Sequence, residues 1–169
     1  MTLEEFLDVH GFMFKRYEHA AVMTVAESES LALDLPGAKT KNLFLRDKKG
    51  SKHFLVTIPA ALTVNLKQLG ALLGVAGLSF ASPERLLNYL GVLPGSVTLL
   101  GLVNDPIHHV QFVIDQALWD APAVQAHPLV NTATMVVPQA ELSRFLAVTG
   151  HTPQIISVPA QASGDSGSC

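Results

Sequence analysis

Cysteine is almost missing from this chain: among 169 residues there is one, Cys169, at the last position. A lone terminal thiol excludes an intramolecular disulfide, a thiolate metal cluster and a cysteine nucleophile in the core. Charge is scarce as well, at 15% Asp, Glu, Lys and Arg with a formal net charge of −3. That balance argues against broad non-specific binding to nucleic acid, which draws on widespread phosphate neutralisation, and leaves room for a small localised contact. The longest apolar run, Leu69 to Leu78, is broken by Gly70, Gly74 and Gly77 and is too short to span a bilayer. Met1-Thr2-Leu3-Glu4-Glu5 lacks the basic start of a signal peptide. A soluble cytoplasmic protein without a membrane partner is therefore expected. There is no Walker loop, dinucleotide fingerprint or Gly-x-Ser-x-Gly elbow, which removes the usual nucleotide-hydrolase, Rossmann and α/β-hydrolase readings. His108-His109 is half a metal site without further ligands at a customary spacing, and His10, His19, His53 and His151 read as scattered. No metal and no cofactor is assigned.

What is present is apolar: 49% of the residues are hydrophobic, enough for one well-buried domain. That domain is drawn over 1–158. The Pro, Ala, Ser and Gly of 159–169 have the composition of a disordered tail. Thr2 with Glu5 forms a capping box for a first helix whose apolar residues are Leu3, Phe6 and Leu7, ended by Gly11. Phe12 to Tyr17 reads as a strand, and Thr24 with Glu27 opens a helix to about Leu33. Leu43-Phe44-Leu45 and Phe54 to Ile58 read as a hairpin around Asp47-Lys48-Lys49-Gly50-Ser51. A short helix follows to Leu73, then a strand over Leu78–Ala81 and a helix from Ser82-Pro83-Glu84 with Leu86, Leu87 and Leu90 as its buried stripe. Strands over Val110–Ile114 and Thr132–Val137, a helix from Pro138 to Gly150 and a last strand near Ile155, Ile156 and Val158 complete the pattern. Helices and strands mix without a strict βαβ rhythm, so the class is α+β (mixed α/β) with a mostly antiparallel sheet.

Positive charge is concentrated in one place. Lys39, Lys41, Arg46, Lys48, Lys49 and Lys52 are six of eleven Lys and Arg residues, within fourteen positions. For Lys48, Lys49 and Lys52 the bland reading is a solvated tip that protects a sheet edge. Lys41 directly precedes the apolar run, where its stem can lie along the sheet while its ammonium looks into a cleft. Gly95 and Ser96, in a glycine- and proline-marked loop, can line up backbone N–H groups for an anion, or form an ordinary turn. His127 can act as base, acid or donor near neutral pH, with Asn131, Thr132 and Thr134 as neutral partners, or it can simply cap the turn before Pro128.

Three blocks, Gly37-Ala38-Lys39-Thr40-Lys41-Asn42-Leu43-Phe44-Leu45-Arg46-Asp47, Gly95-Ser96-Val97-Thr98 with Gly101-Leu102-Val103-Asn104-Asp105, and His127-Pro128-Leu129-Val130-Asn131-Thr132-Ala133-Thr134, resemble in the same order the YbaK and prolyl-tRNA editing family. The similarity is greatest to its free-standing Ala-tRNA(Pro) deacylases. The resemblance implies a YbaK-like mixed sheet folded into a partly closed barrel with flanking helices. It also implies hydrolysis of the ester between a wrong amino acid and the 3′-terminal adenosine of tRNA(Pro), with prolyl-tRNA synthetase as a further candidate partner. It implies catalytic roles for Lys41, Gly95 and His127, and substrate contacts for Asn42, Ser96, Asn131 and Thr132. Leu99 stands where the family's glycine loop usually carries proline. Removal of cysteine from tRNA(Pro) and a non-catalytic module binding a tRNA end or small anion are the alternative readings. Because the hairpin holds the one dense basic cluster, binding of charged tRNA is expected to weaken only modestly with salt. A slope of the size produced by ~6–10 phosphate contacts would contradict this.

Overall fold

The computed structural model describes residues 2–21 and 35–161; the helix expected over 24–33 lies outside the described residues. In chain order the elements are α1 (Leu3–Val9), β1 (Lys15–Glu18), β2 (Thr40–Arg46), β3 (His53–Pro59), α2 (Leu66–Leu73), β4 (Ser79–Phe80), α3 (Pro83–Leu90), a 3₁₀ helix (Leu99–Asn104), β5 (Val110–Asp115), α4 (Gln116–Trp119), β6 (Ala123–Ala126), β7 (Ala133–Pro138), α5 (Gln139–Thr149) and β8 (Gln154–Ile156). They form two sheets, ordered β1-β7-β6 and β4-β2-β3-β5-β8. Pairing is antiparallel except for β3–β5 and β5–β8. The mixed α+β class stands, but neither sheet closes on itself, so the partly closed barrel is replaced by two open sheets sharing a core.

The five-stranded sheet is apolar on both faces, which explains its near-continuous hydrophobic strands. Leu43, Leu45, Phe54, Val56, Ile58 and Val113 pack with Leu69 of α2 on one side. Phe44, Leu55, Phe112 and Ile114 face the other, where α1, α3, the 3₁₀ helix, α5 and the inner residues of β6 and β7 complete a larger core. The strand at the start of the chain begins later than the pattern suggests. Gly11, at φ 69°, and Phe12 bond back to Asp8 and Leu7, a left-handed helix ending that holds Phe12 until β1 starts at Lys15. In α3, Leu86 and Leu90 are buried whereas Leu87 is 52% exposed, because the helix presents only one narrow stripe to the core. Paired backbone continues beyond 158: Asn65 and Gln161 N–H donate to Pro159 and Thr63 (both 2.8 Å), around an Ala160–Val64 bridge. No helix among the described residues is long and apolar enough to cross a membrane.

Leu99 has a structural explanation. It is the first residue of the 3₁₀ helix, capped by the Thr98 hydroxyl, and is fully buried. The first helical position is also where proline fits without losing a needed N–H, and leucine there adds apolar burial.

Except for His10, whose ring lies against Phe6, the histidines are grouped rather than scattered. Arg85 Nη1 lies 3.0 Å from the Gly50 carbonyl and 2.9 Å from His53 Nε2. Arginine can only donate, so His53 Nε2 accepts and its Nδ1–H points to His109 Nε2 at 2.9 Å. His109 in turn stacks on Tyr89 at 4.3 Å. Buried Asp105 accepts from the His109 and Val110 N–H groups and from His151. Together these tie the hairpin turn, α3 and the start of β5. Burial, with the neighbouring His109 and Arg85, lowers the His53 pKa from 6.5 to about 4. Between those values the unfolded chain binds the proton and the folded one does not, so stability falls as pH drops through that window. Urea unfolding at pH 7 and pH 4.5 is expected to show this loss, and His53→Gln, with no proton to take up, to remove that part of it.

Candidate functional site

Where the two sheets meet, a short connection orders the candidate residues. Ala38 forms a parallel bridge with Val124, its N–H donating to Ala123 and its carbonyl accepting from Gln125, both at 2.9 Å. The Thr40 hydroxyl donates to the Gln125 carbonyl at 2.7 Å, and Gln125 Nε2 lies 3.1 to 3.3 Å from the carbonyls of Leu35, Pro36 and Gly37. Gly37 suits this position because it takes φ 90°, a backbone conformation that residues with a Cβ adopt only with strain. Because the two segments run in the same direction, Lys41-Asn42 and Ala126-His127 leave this seam at one end.

Lys41 is half-buried inside β2 rather than ahead of it, opposite Ile58. The strand starts at Thr40 because pairing with β3 reaches back to Pro59. Asn42 sits opposite Thr57, whose buried hydroxyl donates to its Oδ1 at 2.6 Å. This fixes the amide, leaving Nδ2 as the end that Thr57 does not engage. Lys39, Lys48, Lys49 and Lys52 are exposed. The hairpin turn is held by Asp47, which accepts from the Lys52 and Ser51 N–H groups and the Ser51 hydroxyl. The Lys52 N–H in particular holds the Asp47 carboxyl below its usual range.

His127 directly follows β6 and is half-buried, with Nδ1 3.0 Å from the Ala133 carbonyl. A carbonyl only accepts, so Nδ1 carries the hydrogen and the neutral ring leaves Nε2 as a bare acceptor. Burial lowers its pKa; the Ala133 bond opposes this and His19 adds to it. The 127–132 loop turns through Leu129 at φ 67°, a strained conformation for a branched residue. Thr132 is exposed, with its carbonyl bonded to the His19 N–H, while Asn131 is half-buried and engaged with its surroundings. Gly95 takes φ 90°, but the Ser96 N–H is already used in a turn to the Leu93 carbonyl at 3.0 Å. Of the two amides assigned to anion binding, the Ser96 one is therefore committed to its own loop. The seam thus brings the backbone of Lys41, Asn42 and His127 to one end, with Lys41 on the Ile58 face of β2 and Asn42 on the Thr57 face, whereas Gly95 and Ser96 belong to the loop between α3 and the 3₁₀ helix.

Sequence reasoning missed β6, whose Ala-Val-Gln-Ala is too short and mixed to read as a strand, and with it the seam. It also missed His19, whose Nε2 lies 2.8 Å from the Thr134 hydroxyl and whose ring meets His127 at 6.5 Å. A groove of about 340 Å³ opens elsewhere, between α2 and residues 75–78. Among the described residues that line it, Lys67 alone is ionisable, so these offer no pair of groups for ester chemistry.

The aminoacyl-tRNA editing domain profile matches residues 19–145. The chain belongs to that family and is an aminoacyl-tRNA hydrolase by class. It is 36% identical over 152 residues to the prolyl-tRNA editing protein ProX of Acetoanaerobium sticklandii, covering 90% of this chain and 93% of that one. It is 40% identical over 157 residues to prolyl-tRNA synthetase associated domain-containing protein 1 of Danio rerio, covering 92% and 85%. A crystal structure of a candidate trans-editing enzyme for prolyl-tRNA synthetase has the same fold, with TM-score 0.68 at 22% identity over 94% and 95% of the chains.

The ring geometry has a direct check. Nitrogen-15 NMR of the imidazoles is expected to show His127 with hydrogen on Nδ1 and a bare Nε2 at pH 7, protonating at a pH below the 6.5 of an unperturbed ring because burial disfavours the charged form. An Nε2–H form at pH 7 would contradict the assignment.

Proposed function

We propose that the protein hydrolyses alanine from mischarged tRNA(Pro), acting in trans. The observation that carries this reading is the seam, which brings a lysine, an oriented amide and a histidine with a bare Nε2 to one end of the joined sheets in a chain of the editing family. An aminoacyl ester is already activated, so the protein needs to place it, hold a water and stabilise the tetrahedral oxyanion. Lys41 supplies positive charge for the ester oxygen or the terminal phosphate. His127 Nε2 accepts a hydrogen from the attacking water or from the ribose hydroxyl beside the ester. Asn42 Nδ2, Asn131 and Thr132 contact the aminoacyl-adenosine, and Gly95 contributes its amide and Ser96 its hydroxyl.

The chemistry also explains why such an enzyme is needed. A synthetase site built for proline gains only about 1–3 kcal/mol by rejecting a smaller apolar side chain, and a second hydrolytic sieve supplies the missing discrimination. Free-standing editing calls for encounter with the charged tRNA end and, in this reading, with the synthetase that releases it.

The test is deacylation of Ala-, Cys- and Pro-charged tRNA(Pro) by the purified protein. Loss of alanine faster than proline is expected; preferential loss of cysteine would reassign the substrate, and no loss from any would favour a binding module. Lys41→Ala is expected to lower the rate by roughly 10²-fold, the scale of one preorganised electrostatic group, with the fold intact. Lys48→Ala, at the exposed turn and screened by salt, should change it little. Equal losses in the two variants would show Lys41 to be structural.

A further inference from the structure

His19 lies just beyond β1, where its N–H extends the β1–β7 ladder to the Thr132 carbonyl at 2.9 Å. Its Nδ1 is 2.8 Å from the Ala20 carbonyl, which fixes a hydrogen there. The neutral ring then has Nε2 as an acceptor, and the group 2.8 Å away is the Thr134 hydroxyl. Thr134 is 6% exposed, so its hydroxyl depends on this partner. One residue earlier, the Ala133 carbonyl holds His127. The two imidazoles are thus anchored on consecutive residues at the start of β7, their rings edge to face.

We infer that His19 is a positioning residue for deacylation: by taking the Thr134 hydroxyl it fixes the start of β7, and through the Ala133 carbonyl it aims His127 Nε2. This inference rests on His127 being a site group, as proposed above. The loop that runs from His127 to these two anchors makes a clamp necessary. It carries Leu129 at φ 67°, a conformation that persists only where the surroundings over-determine it. β6 and β7 bring no charged side chain; β1 places Tyr17 and Glu18 opposite Thr134 and Ala133, and His19 is the ionisable group whose ring meets that of His127.

The geometry sets the variants. His19→Asn keeps a polar group near the Ala20 carbonyl and loses the contact with Thr134. His19→Gln reaches the Nε2 position, where its amide oxygen can accept the threonine hydroxyl. Thr134→Val removes the hydroxyl at nearly constant shape, and Thr134→Ser keeps it. With Ala-tRNA(Pro) as substrate, His19→Asn and Thr134→Val are each expected to lower kcat roughly 10-fold or more with little change in KM, as small misplacements of reacting groups do.

The double variant should be no slower than the slower single one, since both break one interaction. His19→Gln and Thr134→Ser should restore most of the rate. Should His19→Asn fail to fold, the two Thr134 variants carry the comparison. Additive losses, a His19→Gln protein as slow as His19→Asn, or equal losses for Thr134→Val and Thr134→Ser would each overturn the assignment. An active wild type with an unaffected His19→Asn would overturn His19 alone. A wild type inactive on every charged tRNA(Pro) would overturn the functional reading and this inference with it.

Discussion

The proposed site depends on one short parallel contact, the bridge between Ala38 and Val124 with the Thr40 hydroxyl on the Gln125 carbonyl. Two backbone amides, one hydroxyl and one glutamine amide fasten the entry of β2 to β6, and so fasten a five-stranded sheet to a three-stranded one. Without that contact Lys41 and His127 would belong to separate sheets related only through packed side chains. With it, they share a frame in which each backbone position is set by hydrogen bonds a few residues away. A parallel contact serves here because both strands must deliver their side chains at the same end.

A second theme is the use of buried polar groups to hold loops that apolar packing cannot specify. Asp105, with three donors, anchors the start of β5, and the Arg85–His53–His109 chain clamps the hairpin turn onto α3. The His19–Thr134 and His127–Ala133 pairs do the same for the loop between β6 and β7. Each group is satisfied with a defined direction of donation, and this lets a buried polar network specify one arrangement instead of costing stability. The basic hairpin therefore projects from a rigid base, with Lys48 and Lys49 exposed at its tip.

Much of the fold was legible where local chemistry and tertiary need agree. The Thr2 and Glu5 capping box, the Asn65, Ser82 and Gly150 helix ends and the apolar runs of β2, β3 and β5 all carry their structure in the side chains themselves. Of the candidate site, Lys41, Asn42 and His127 are legible as polar residues beside apolar runs, and their roles there are the ones proposed above. What stayed hidden was set by distant pairing. β6 has no periodicity of its own and exists because β7 and Ala38 flank it, the Ser96 amide is spent on a turn that no motif announces, and His19 acquires its partner from a strand 115 residues away.

The most direct measurement is a crystal structure of the protein with a non-hydrolysable amide analogue of 3′-alanyl-adenosine. The alanyl carbonyl is expected at the end of the seam, with Lys41 and His127 Nε2 on either side of it and Asn42 Nδ2 within hydrogen-bond reach. An analogue bound along the hairpin tip or in the groove beside α2, with the seam end empty, would contradict the assignment of the site.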